Sequence, residues 1–297
     1  MAKISIQQLP KDKSFQSCIT AEKGHKLVYL DWDSIEPTIT AHYTQDEGLL
    51  SVYGPDAKKP NCIYLRVGAG ISLYKDDILK WYDPDNPTPE GVQNAKLHAA
   101  KTRQAVKPAY LGWQYGLGPR TLSSQTGLPM AECKQILEDI NNTFKKVPEF
   151  NNHLKKEWRS NGGWEKVIWE DDIDGNPKAK LEAGAPGYII NGRGRPLAIA
   201  PGKSKDCGSR FIQSTGHDLL LRYVYFINNL RKERGVNMRP AHVDLHDATI
   251  WMVTEEDTAR CVEVFEDAKV MLNDLLNWDI KLTGDVKVGD NLGDFLE

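Results

Sequence analysis

At 297 residues the chain is long enough to bury a substantial hydrophobic core, and its 27% charged and 40% hydrophobic residues are ordinary for a globular protein. No apolar run approaches the roughly 20 residues that a membrane helix needs, and the N-terminus lacks a signal-peptide pattern. The five cysteines show no metal-ligand spacing, and their odd number argues against a disulfide framework, so the sequence predicts a cytoplasmic protein.

The net charge of −3 at pH 7 is unusual for a protein that binds nucleic acid, but the basic residues are unevenly distributed. Residues 101–120 hold four Lys and Arg side chains and no acid. Residues 191–210 hold five, against Asp206 alone. Two basic islands on an acidic chain indicate a polyanion bound at a defined place, and the alternative is two solvated faces.

Apolar runs and helical periodicity predict the elements of the first half of the chain. The run 26–31 ends in Asp31 and is typical of a buried strand. A helix over 36–53 has Pro37 near its first turn, where proline is tolerated. Further helices are predicted at 62–70, at 90–106 after a Pro-rich loop over 83–90, and at 129–161 with a break at Pro148.

The second half begins with β-like sequence at 164–200. The acidic stretch 170–177 lacks the ligand spacing and terminal Glu of a calcium loop, so we expect a turn between two strands. Asn191 and Gly192 mark a second hairpin turn. The remaining predicted elements are a helix at 209–233, a strand–turn–strand hairpin at 241–253, a helix at 256–276 and a short strand near 279–282.

Two acidic residues lie in sequence contexts that are typical of metal ligands. Asp31 ends the first predicted strand, and Asp247 lies at the tip of the predicted hairpin, where two paired strands would hold it rigidly. Carboxylate oxygens are the ligands that hard divalent cations prefer. Each position taken alone is also typical of a structural role, either a capping Asp or a turn Asp beside the partly buried His246.

Four residues spaced by four predict a nucleotide-binding stripe on one helix. A step of four residues advances about 40° beyond a full turn, so the set lies on one face. The stripe offers two cations for phosphates, an apolar side chain for a base and an aromatic hydroxyl for a sugar. Gly112 and Gly116 would permit close approach of a planar group. The four residues are Arg103, Lys107, Leu111 and Tyr115.

In this order and spacing, the three segments resemble motifs A, B and C of the family A DNA polymerases, the group of bacterial DNA polymerase I and related phage enzymes. Residues 192–197 resemble the family's Gly-Arg-x-Arg hairpin, and residues 213–218 resemble its Gln-Gly-Thr-x-x-Asp helix. The resemblance therefore covers nearly the whole chain. The matched residues are Asp31, Trp32 and Glu36 for motif A, the stripe with Gly112 and Gly116 for motif B, and His246 and Asp247 for motif C.

The resemblance implies an α+β fold: a polymerase palm, which is an antiparallel sheet with packed helices, and a mainly helical fingers subdomain. Residues 1–45 would form the first part of the palm, 46–200 the fingers with a β-hairpin region, and 201–297 the second part of the palm. The implied activity is template-directed DNA synthesis on primer-template DNA with dNTPs. Its place would be the cytoplasm, or the host cytoplasm if the source is a phage.

The resemblance also implies roles for the site residues. Asp31 and Asp247 would hold two Mg²⁺ ions, assisted by the backbone carbonyl of Trp32. Arg103 and Lys107 would grip the incoming triphosphate. Lys107 would also donate a proton to the departing pyrophosphate.

Nucleotide selection and DNA contacts are implied in the same way. Tyr115 and Glu36 would close over the sugar, with Glu36 in the space that a 2′-hydroxyl needs. Leu111 would pack against the base and sugar. The residues implied to contact primer or template are Gln213, His246, Arg210, Lys205 and Ser209.

Several positions depart from the family pattern. Leu111 replaces the usual aromatic residue, which predicts looser packing of the base and altered nucleotide discrimination. Pro108 lies inside motif B and donates no hydrogen bond, so we expect the helix to begin near it or to kink there. Ala248 replaces an auxiliary acid, so activity should survive. Lys205 and Ser209 stand where the family has Arg and Asn.

In the family, motif A follows a thumb subdomain and an exonuclease domain, whereas only 30 residues precede Asp31 here. Residues 4–10 resemble the tail of the segment that links thumb to palm. We therefore expect the thumb and exonuclease on a separate chain, as in a split polymerase. Two alternatives stay open: a metal-dependent nuclease built on Asp31 and Asp33, and a polymerase remnant that binds DNA without catalysis.

Overall fold

The computed structural model describes residues 12–57, 61–171, 177–245 and 248–295. Helices are combined with antiparallel strands, which confirms the predicted α+β class. The helices are α1 (Lys13–Gln16), α2 (Ile35–Thr44), α3 (Glu47–Tyr53), α4 (Ile63–Gly70), α5 (Lys75–Leu79), α6 (Pro89–His98), α7 (Ala100–Gln114), α8 (Pro119–Thr126), α9 (Met130–Thr143), α10 (Lys146–Ser160), α11 (Cys207–Glu233) and α12 (Thr258–Leu276). The strands are β1 (His25–Trp32), β2 (Trp164–Asp171), β3 (Pro177–Ala185), β4 (Gly187–Ile190), β5 (Pro196–Ile199), β6 (Met238–Leu245), β7 (Ala248–Thr254) and β8 (Gly284–Gly289).

The chain divides into two compact units. Unit 1 contains the described residues up to Glu36 and from Gly216 onward, and unit 2 contains Pro37–Thr215. Helices α2 and α11 each run through a division. The predicted limits after residues 45 and 200 both lie inside unit 2, and the assignment of the units to palm and fingers stays a prediction.

Unit 1 is built on a four-stranded antiparallel sheet in the order β6-β7-β1-β8. Successive side chains of a strand point to opposite faces, and β1 is apolar on both of them. Val28, Leu30 and Trp32 are buried on one face. The other face carries a cluster around Leu27, completed by Ile250, Leu292, Tyr29, Met252 and Phe295. This double burial explains the central position of β1.

Helix α7 is the centre of unit 2. Its buried face includes Val106 and Tyr110 and contacts α4 and α9. Gly68 of α4 permits the close approach, because a Cβ there would lie 3.3 Å from a methyl carbon of Val106. The ring of Tyr110 lies 5.9 Å from that of Phe144, between centroids. Two hairpins, β2–β3 and β4–β5, follow α10.

Two predicted helices are each divided in the structure. The helix predicted over 36–53 breaks at Gln45, which has a positive φ of 52°, and Asp46 caps α3 by accepting from the N–H groups of Gly48 and Leu49. The helix predicted over 90–106 breaks at Ala99 into α6 and α7. Apolar periodicity alone runs through both breaks and therefore did not reveal them.

The segment 129–161 does break, but not at Pro148 as predicted. The interruption falls at residues 144–145, between α9 and α10, and Pro148 lies in the first turn of α10. A proline in the first turn costs little because those N–H groups lack partners within the helix.

The short strand predicted near 279–282 is wrong. Leu282 is buried, yet its N–H donates to the Asn273 side-chain oxygen at 2.8 Å, and the Asn273 amide donates back to the Leu282 carbonyl at 3.0 Å. Residues 278–282 therefore follow α12, and the strand that pairs with β1 is β8. The Asn273 side chain, and not a neighbouring strand, satisfies the backbone groups of Leu282.

All five cysteines are free. Burial raises the pKa of the Cys261 thiol to about 12 and that of Cys207 to about 11, which disfavours the nucleophilic thiolate form of both. Within the described ranges, the helices are too short or too polar to cross a membrane.

Candidate functional site

Asp31 is an exposed carboxylate at the C-terminal end of β1. In the sheet register it lies opposite Ala248 on β7 and opposite Asp285 on β8. Directly opposed residues of antiparallel strands project to the same face, so Asp31 and the exposed Asp285 share one surface. Ala248 immediately follows the predicted motif C residues His246 and Asp247, which lie outside the described part of the chain.

The neighbouring Trp32 is an anchor for this strand end. Its side chain is only 3% exposed and packs edge-on against Tyr223, with 5.0 Å between ring centroids. Burial raises the pKa of Tyr223 well above its usual range, and its hydroxyl donates to the Phe265 carbonyl at 3.0 Å. A Cβ at Gly284 would collide with the Asp31 carbonyl oxygen, so β8 approaches β1 closely here. Burial and close approach together hold the backbone of Asp31 and Trp32 in place.

A tight turn connects β1 to α2. The Asp33 N–H donates to the Thr283 carbonyl at 2.8 Å, and Ser34 adopts a positive φ of 50°. Non-glycine residues seldom adopt this left-handed conformation, so the surrounding structure must hold Ser34 in it. It places Glu36, which is half-buried, in the first turn of α2.

The donors at the end of β1 suit a hard divalent cation. Asp31 and Asp285 offer only carboxylate oxygens, which favours magnesium or calcium over zinc or copper. In the parts of the chain that the structure describes, no group of three or more His, Cys, Asp and Glu side chains could hold a metal ion. The second carboxylate of the predicted pair, Asp247, falls outside those parts.

The predicted stripe lies along one side of α7. Lys107 is exposed and Arg103 and Leu111 are half-buried, while the buried residues of the helix occupy other positions. The helix begins at Ala100 and continues through Pro108, so it does not begin near the proline, and the alternative of a kink there stays a prediction. Tyr115, 40% exposed, lies just past the last turn as the C-cap.

One residue at this stripe, Tyr64 of α4, was not predicted from the sequence. The Arg103 guanidinium carbon lies 5.3 Å from the Tyr64 ring centroid and the Lys107 ammonium lies 5.7 Å from it. Both distances are within the range of a cation–π interaction. Burial raises the pKa of Tyr64, and Arg103 opposes that rise. No local pattern around Tyr64 points to this contact, because the pair comes from two separate helices.

The two cations are close neighbours on α7 and would repel each other. In the part of the chain that the structure describes, neither has a carboxylate oxygen within 4 Å, and the aromatic ring faces both. The Nε atom of Arg103 is also buried without a hydrogen-bond partner among the described residues. The arrangement leaves two positive charges available to an anionic ligand.

Gly112 and Gly116 were expected to permit close approach of a planar ligand, but in the structure both serve the packing and termination of the helix. A Cβ at Gly112 would lie 2.9 Å from the Leu117 side chain, so that space is already filled by the chain itself. Gly116 has a φ of 72°, and its N–H donates to the Trp113 carbonyl at 2.9 Å. Gly112 permits internal packing and Gly116 permits the left-handed turn that ends the helix.

The β4–β5 hairpin and the start of α11 form a second basic site in unit 2. Asn191 organises the turn: its side-chain oxygen accepts from the N–H groups of Arg193 and Arg195 at 3.0 and 2.8 Å. Beside the turn is a cavity of about 400 Å³. It brings together two predicted DNA-contact residues with part of the second basic island. The residues that line it are Arg195, Pro196, Leu197, Ala198, Arg210, Gln213 and Ser214.

Two more of the predicted DNA-contact residues lie just before and within the first turn of α11, and the fifth, His246, lies outside the described residues. Lys205 is exposed, in a short 3₁₀ turn over Ser204–Asp206. The Ser209 hydroxyl donates to the Asp206 carbonyl at 3.0 Å, which caps this turn locally. The structure thus groups Arg210 with Gln213 in the cavity, whereas Lys205 and Ser209 do not line it.

Comparison of the chain with known proteins finds one family. The model of DNA polymerase family A matches residues 1–173. The DNA polymerase of Mycobacterium phage D29 is 23% identical over 217 residues, which cover 73% of this chain and 28% of that protein. The thermostable DNA polymerase I of Thermus thermophilus is 23% identical over 282 residues, which cover 94% of this chain and 28% of that protein.

A solved structure shares the fold. The POL domain of Pol1 from M. smegmatis, in complex with DNA primer-template and dNTP, matches with a TM-score of 0.68 at 17% identity. The match covers 97% of this chain and 44% of that chain. The chain thus spans about 28% of the length of the two curated relatives and less than half of the structural one.

Proposed function

Because the chain belongs to DNA polymerase family A, we propose that it is the catalytic part of a DNA-directed DNA polymerase that acts in DNA replication. It adds dNTPs to a primer 3′-end under the direction of a template. The observation that carries this proposal is the cation pair of α7, Arg103 and Lys107, which face one aromatic ring. Two cations without carboxylate neighbours in the described chain suit a triphosphate.

The metal-binding role belongs to unit 1. Asp31 and Asp247, with the backbone carbonyl of Trp32, would hold two magnesium ions, which when bound polarise the attacking primer oxygen and stabilise charge on the leaving pyrophosphate. The exposed Asp31 carboxylate and the buried anchor of Trp32 support this assignment. Because the backbone of Asp31 and Trp32 is held in place, the Asp31 carboxylate and the Trp32 carbonyl oxygen are positioned before the substrate binds.

The triphosphate-binding role belongs to unit 2. Arg103 offers a planar fork that can bind two phosphate oxygens, and its buried, unsatisfied Nε suits a site whose acceptor comes from the ligand. Lys107, which is exposed, provides a point charge and a transferable proton for the departing pyrophosphate. The Tyr64 ring attracts both cations. Unlike a carboxylate, it does not neutralise their charge and so does not compete with the phosphates of the ligand.

Selection of the nucleotide is assigned to three side chains. Glu36 in the first turn of α2 occupies the space of a 2′-hydroxyl, so deoxynucleotides are preferred. Tyr115 closes over the sugar, and its exposure at the end of α7 leaves it accessible. Leu111 offers a small apolar surface to the base, which predicts weaker stacking than an aromatic ring provides.

The DNA itself is assigned to the basic residues near α11. Arg210 and Gln213 line one cavity together with Arg195, so a phosphate and a base edge could be bound side by side. Lys205, Ser209 and, outside the described residues, His246 complete the predicted contacts to primer and template. This local concentration of cations would attract the phosphate backbone of DNA although the net charge of the chain is −3.

A primer-extension assay tests the proposal. The full chain is incubated with a labelled primer annealed to a template, with Mg²⁺ and all four dNTPs, and with rNTPs in a parallel reaction. We expect extension that requires Mg²⁺ and dNTPs and is weak with rNTPs. Degradation of the primer without dNTPs would support the nuclease alternative, and binding without extension would support the non-catalytic one.

The expected thumb and exonuclease chain stays a prediction, tested by the same assay. A palm and fingers without a thumb would grip duplex DNA weakly, so the split arrangement predicts that the chain alone adds few nucleotides per encounter. Addition of a candidate thumb–exonuclease chain should lengthen the products. Long, processive products from this chain alone would contradict the split arrangement.

Replacement of Tyr64 with Leu is expected to raise the KM for dNTPs about fivefold with a smaller effect on kcat. The ring contributes a cation–π attraction of about 1 kcal/mol that keeps Arg103 and Lys107 in place, and an aliphatic side chain of similar size lacks it. Steady-state kinetics at varied dNTP concentration measure the effect. Tyr64→Phe keeps the ring and should behave like the wild type.

Tyr74 supplies the matched control for this prediction. It is another half-buried tyrosine of unit 2 whose pKa is raised by burial, and no cation–π contact involves it among the described residues. Tyr74→Leu should therefore leave the KM unchanged even if it lowers stability. Equal KM values for Tyr64→Leu and the wild type would contradict the role of the ring.

A further inference from the structure

The β2–β3 hairpin is attached to the basic segment 200–206 through one acidic side chain. The Glu165 Oε2 atom accepts from the Gly202 N–H at 2.7 Å, and its Oε1 atom accepts from the Ser204 hydroxyl at 2.5 Å. Hydrogen bonds to a carboxylate are stronger than those between neutral groups. A single half-buried carboxylate therefore ties two points of the segment to strand β2.

Packing reinforces the same attachment. Gly184 lies opposite Glu165 in the hairpin register, and a Cβ there would collide with the Pro201 side chain. Gly202 adopts a φ of 79°, a left-handed conformation, and the space beside it is filled by Leu181 of β3 at 3.5 Å from the position of a Cβ. The segment thus lies against the hairpin over several residues, and Glu165 is its polar anchor.

The anchored segment carries two cationic side chains. Lys203 and Lys205 are both exposed. Within the ranges that the structure describes, neither lies within 4 Å of a carboxylate oxygen. The Lys205 carbonyl also lies 3.3 Å from the position of a Cβ on Gly116, so the segment adjoins the end of α7. Glu165 is negative, yet its two oxygens accept from neutral donors, and neither ammonium group forms an ion pair with Glu165 or with another described residue.

We propose that Glu165 is a positioning residue for DNA binding: it fixes segment 200–206 so that Lys203 and Lys205 meet the phosphate backbone of DNA in a preorganised arrangement. The inference rests on the proposed function, because Lys205 is assigned there to primer or template. A flexible segment would have to be ordered on binding, at a cost in affinity. Because the hairpin already orders the segment in the free protein, DNA binding does not incur that cost.

The inference predicts that removal of the Glu165 carboxylate weakens DNA binding, although removal of a negative charge usually strengthens it. Removal of an acidic side chain near a DNA-binding segment ordinarily strengthens binding, because it lessens repulsion of the phosphates. Glu165→Ala should do the opposite and weaken binding about two- to tenfold, as expected for a loop and its lysines that must be ordered again. Glu165→Gln can still accept from Gly202 and bond Ser204, so its affinity should equal or exceed that of the wild type.

Glu182 provides the matched control on the same hairpin. It pairs with Lys166 across the two strands at 2.6 Å, and among the described residues it has no ion pair with segment 200–206. Glu182→Ala removes the same charge, and we expect unchanged or slightly tighter DNA binding. Ser204→Ala removes only one of the two hydrogen bonds to Glu165 and should give a smaller decrease in affinity than Glu165→Ala.

The experiment measures the Kd of the full chain for primer-template DNA by fluorescence anisotropy at several salt concentrations. The slope of log K against log[salt] should become shallower by about 0.9 for each phosphate that a lysine no longer neutralises. Amide hydrogen exchange at Gly202, measured without DNA, should become faster in Glu165→Ala and stay slow in Glu165→Gln and Glu182→Ala. This second readout does not depend on any DNA-binding activity.

A Lys203→Ala/Lys205→Ala variant separates the inference from the function on which it rests. If that variant binds DNA as tightly as the wild type, the assigned DNA contact is wrong. If it binds weakly while Glu165→Ala binds like Glu182→Ala, only the positioning role is overturned. If both bind weakly and the combined triple variant is no weaker than the double variant, Glu165 acts through the lysines as proposed.

Discussion

Replacement of Asp31 with Asn is expected to lower the rate of primer extension by about 10³-fold while the protein stays folded. The amide is a poor ligand for a hard cation, and metal coordination supplies several kcal/mol of transition-state stabilisation. Each ~1.4 kcal/mol changes a rate tenfold, so a decrease of about three orders of magnitude follows. Single-turnover extension of a labelled primer in Mg²⁺ measures the effect.

The stability of Asp31→Asn should not fall with its activity. Asp31 and Asp285 are directly opposed in the sheet register, and opposed like charges destabilise a strand pair by a few tenths of a kcal/mol to about 1 kcal/mol. Asn at position 31 removes that repulsion, so the melting temperature should be unchanged or higher. A lowered melting temperature together with abolished activity would instead indicate a structural role for Asp31.

Asp33 is the matched control, since it is an exposed acid two residues further along in the turn before α2. The polymerase proposal predicts that Asp33→Asn extends primers normally, whereas the nuclease alternative requires Asp33 as a second carboxylate. Asp247→Asn should match Asp31→Asn, because Asp247 immediately precedes Ala248, the register partner of Asp31. Normal synthesis by Asp247→Asn would contradict the two-carboxylate assignment and favour a non-catalytic remnant.

Replacement of Lys107 with Ala is expected to lower kcat about 100-fold, the second largest effect. Removal of one well-placed donor to a developing negative charge typically costs two to three orders of magnitude in kcat. Folding should be unaffected, because Lys107 is exposed and alanine is the better helix former. Pre-steady-state kinetics of single-nucleotide addition separate this decrease from any change in dNTP affinity.

Two further substitutions identify what Lys107 contributes. Lys107→Arg keeps the positive charge but has no proton to give at neutral pH, so it should restore dNTP binding while kcat stays low. Lys101→Ala removes an exposed lysine from the first turn of α7, outside the stripe, and should leave both constants unchanged. Full recovery of kcat in Lys107→Arg would show that the charge alone is needed and would rule out proton donation.

The chemistry-bearing segments could be identified from sequence because each is local. The four-residue spacing of Arg103, Lys107, Leu111 and Tyr115 is a property of one helix, and the structure contains that helix as α7. Asp31 could be placed at a strand end because the apolar run before it is short and continuous. The same argument gave the β4–β5 turn at Asn191 and Gly192, where the residue types themselves specify the turn.

Predictions from local sequence patterns were wrong where a residue distant in the pattern bonded a backbone group or filled the space beside a glycine. Residues 279–282 look like a strand, but Asn273 of α12 bonds Leu282 on both backbone groups. Gly112 was interpreted as an opening for a ligand, whereas Leu117 occupies the space beside it. Neither contact changes the periodicity of the sequence, so no inspection of the local pattern could have found it.

The sequence by itself determined the family and the identity of the groups assigned to the chemistry, because motif residues are specified by type and spacing along single elements. Only the tertiary structure decided how those groups are supported. Tyr64 faces the cations of α7 from another helix, and Glu165 holds the lysine segment from a separate hairpin. Such contacts join residues distant in the chain, and their formation depends on packing geometry, which a pattern along the sequence does not contain.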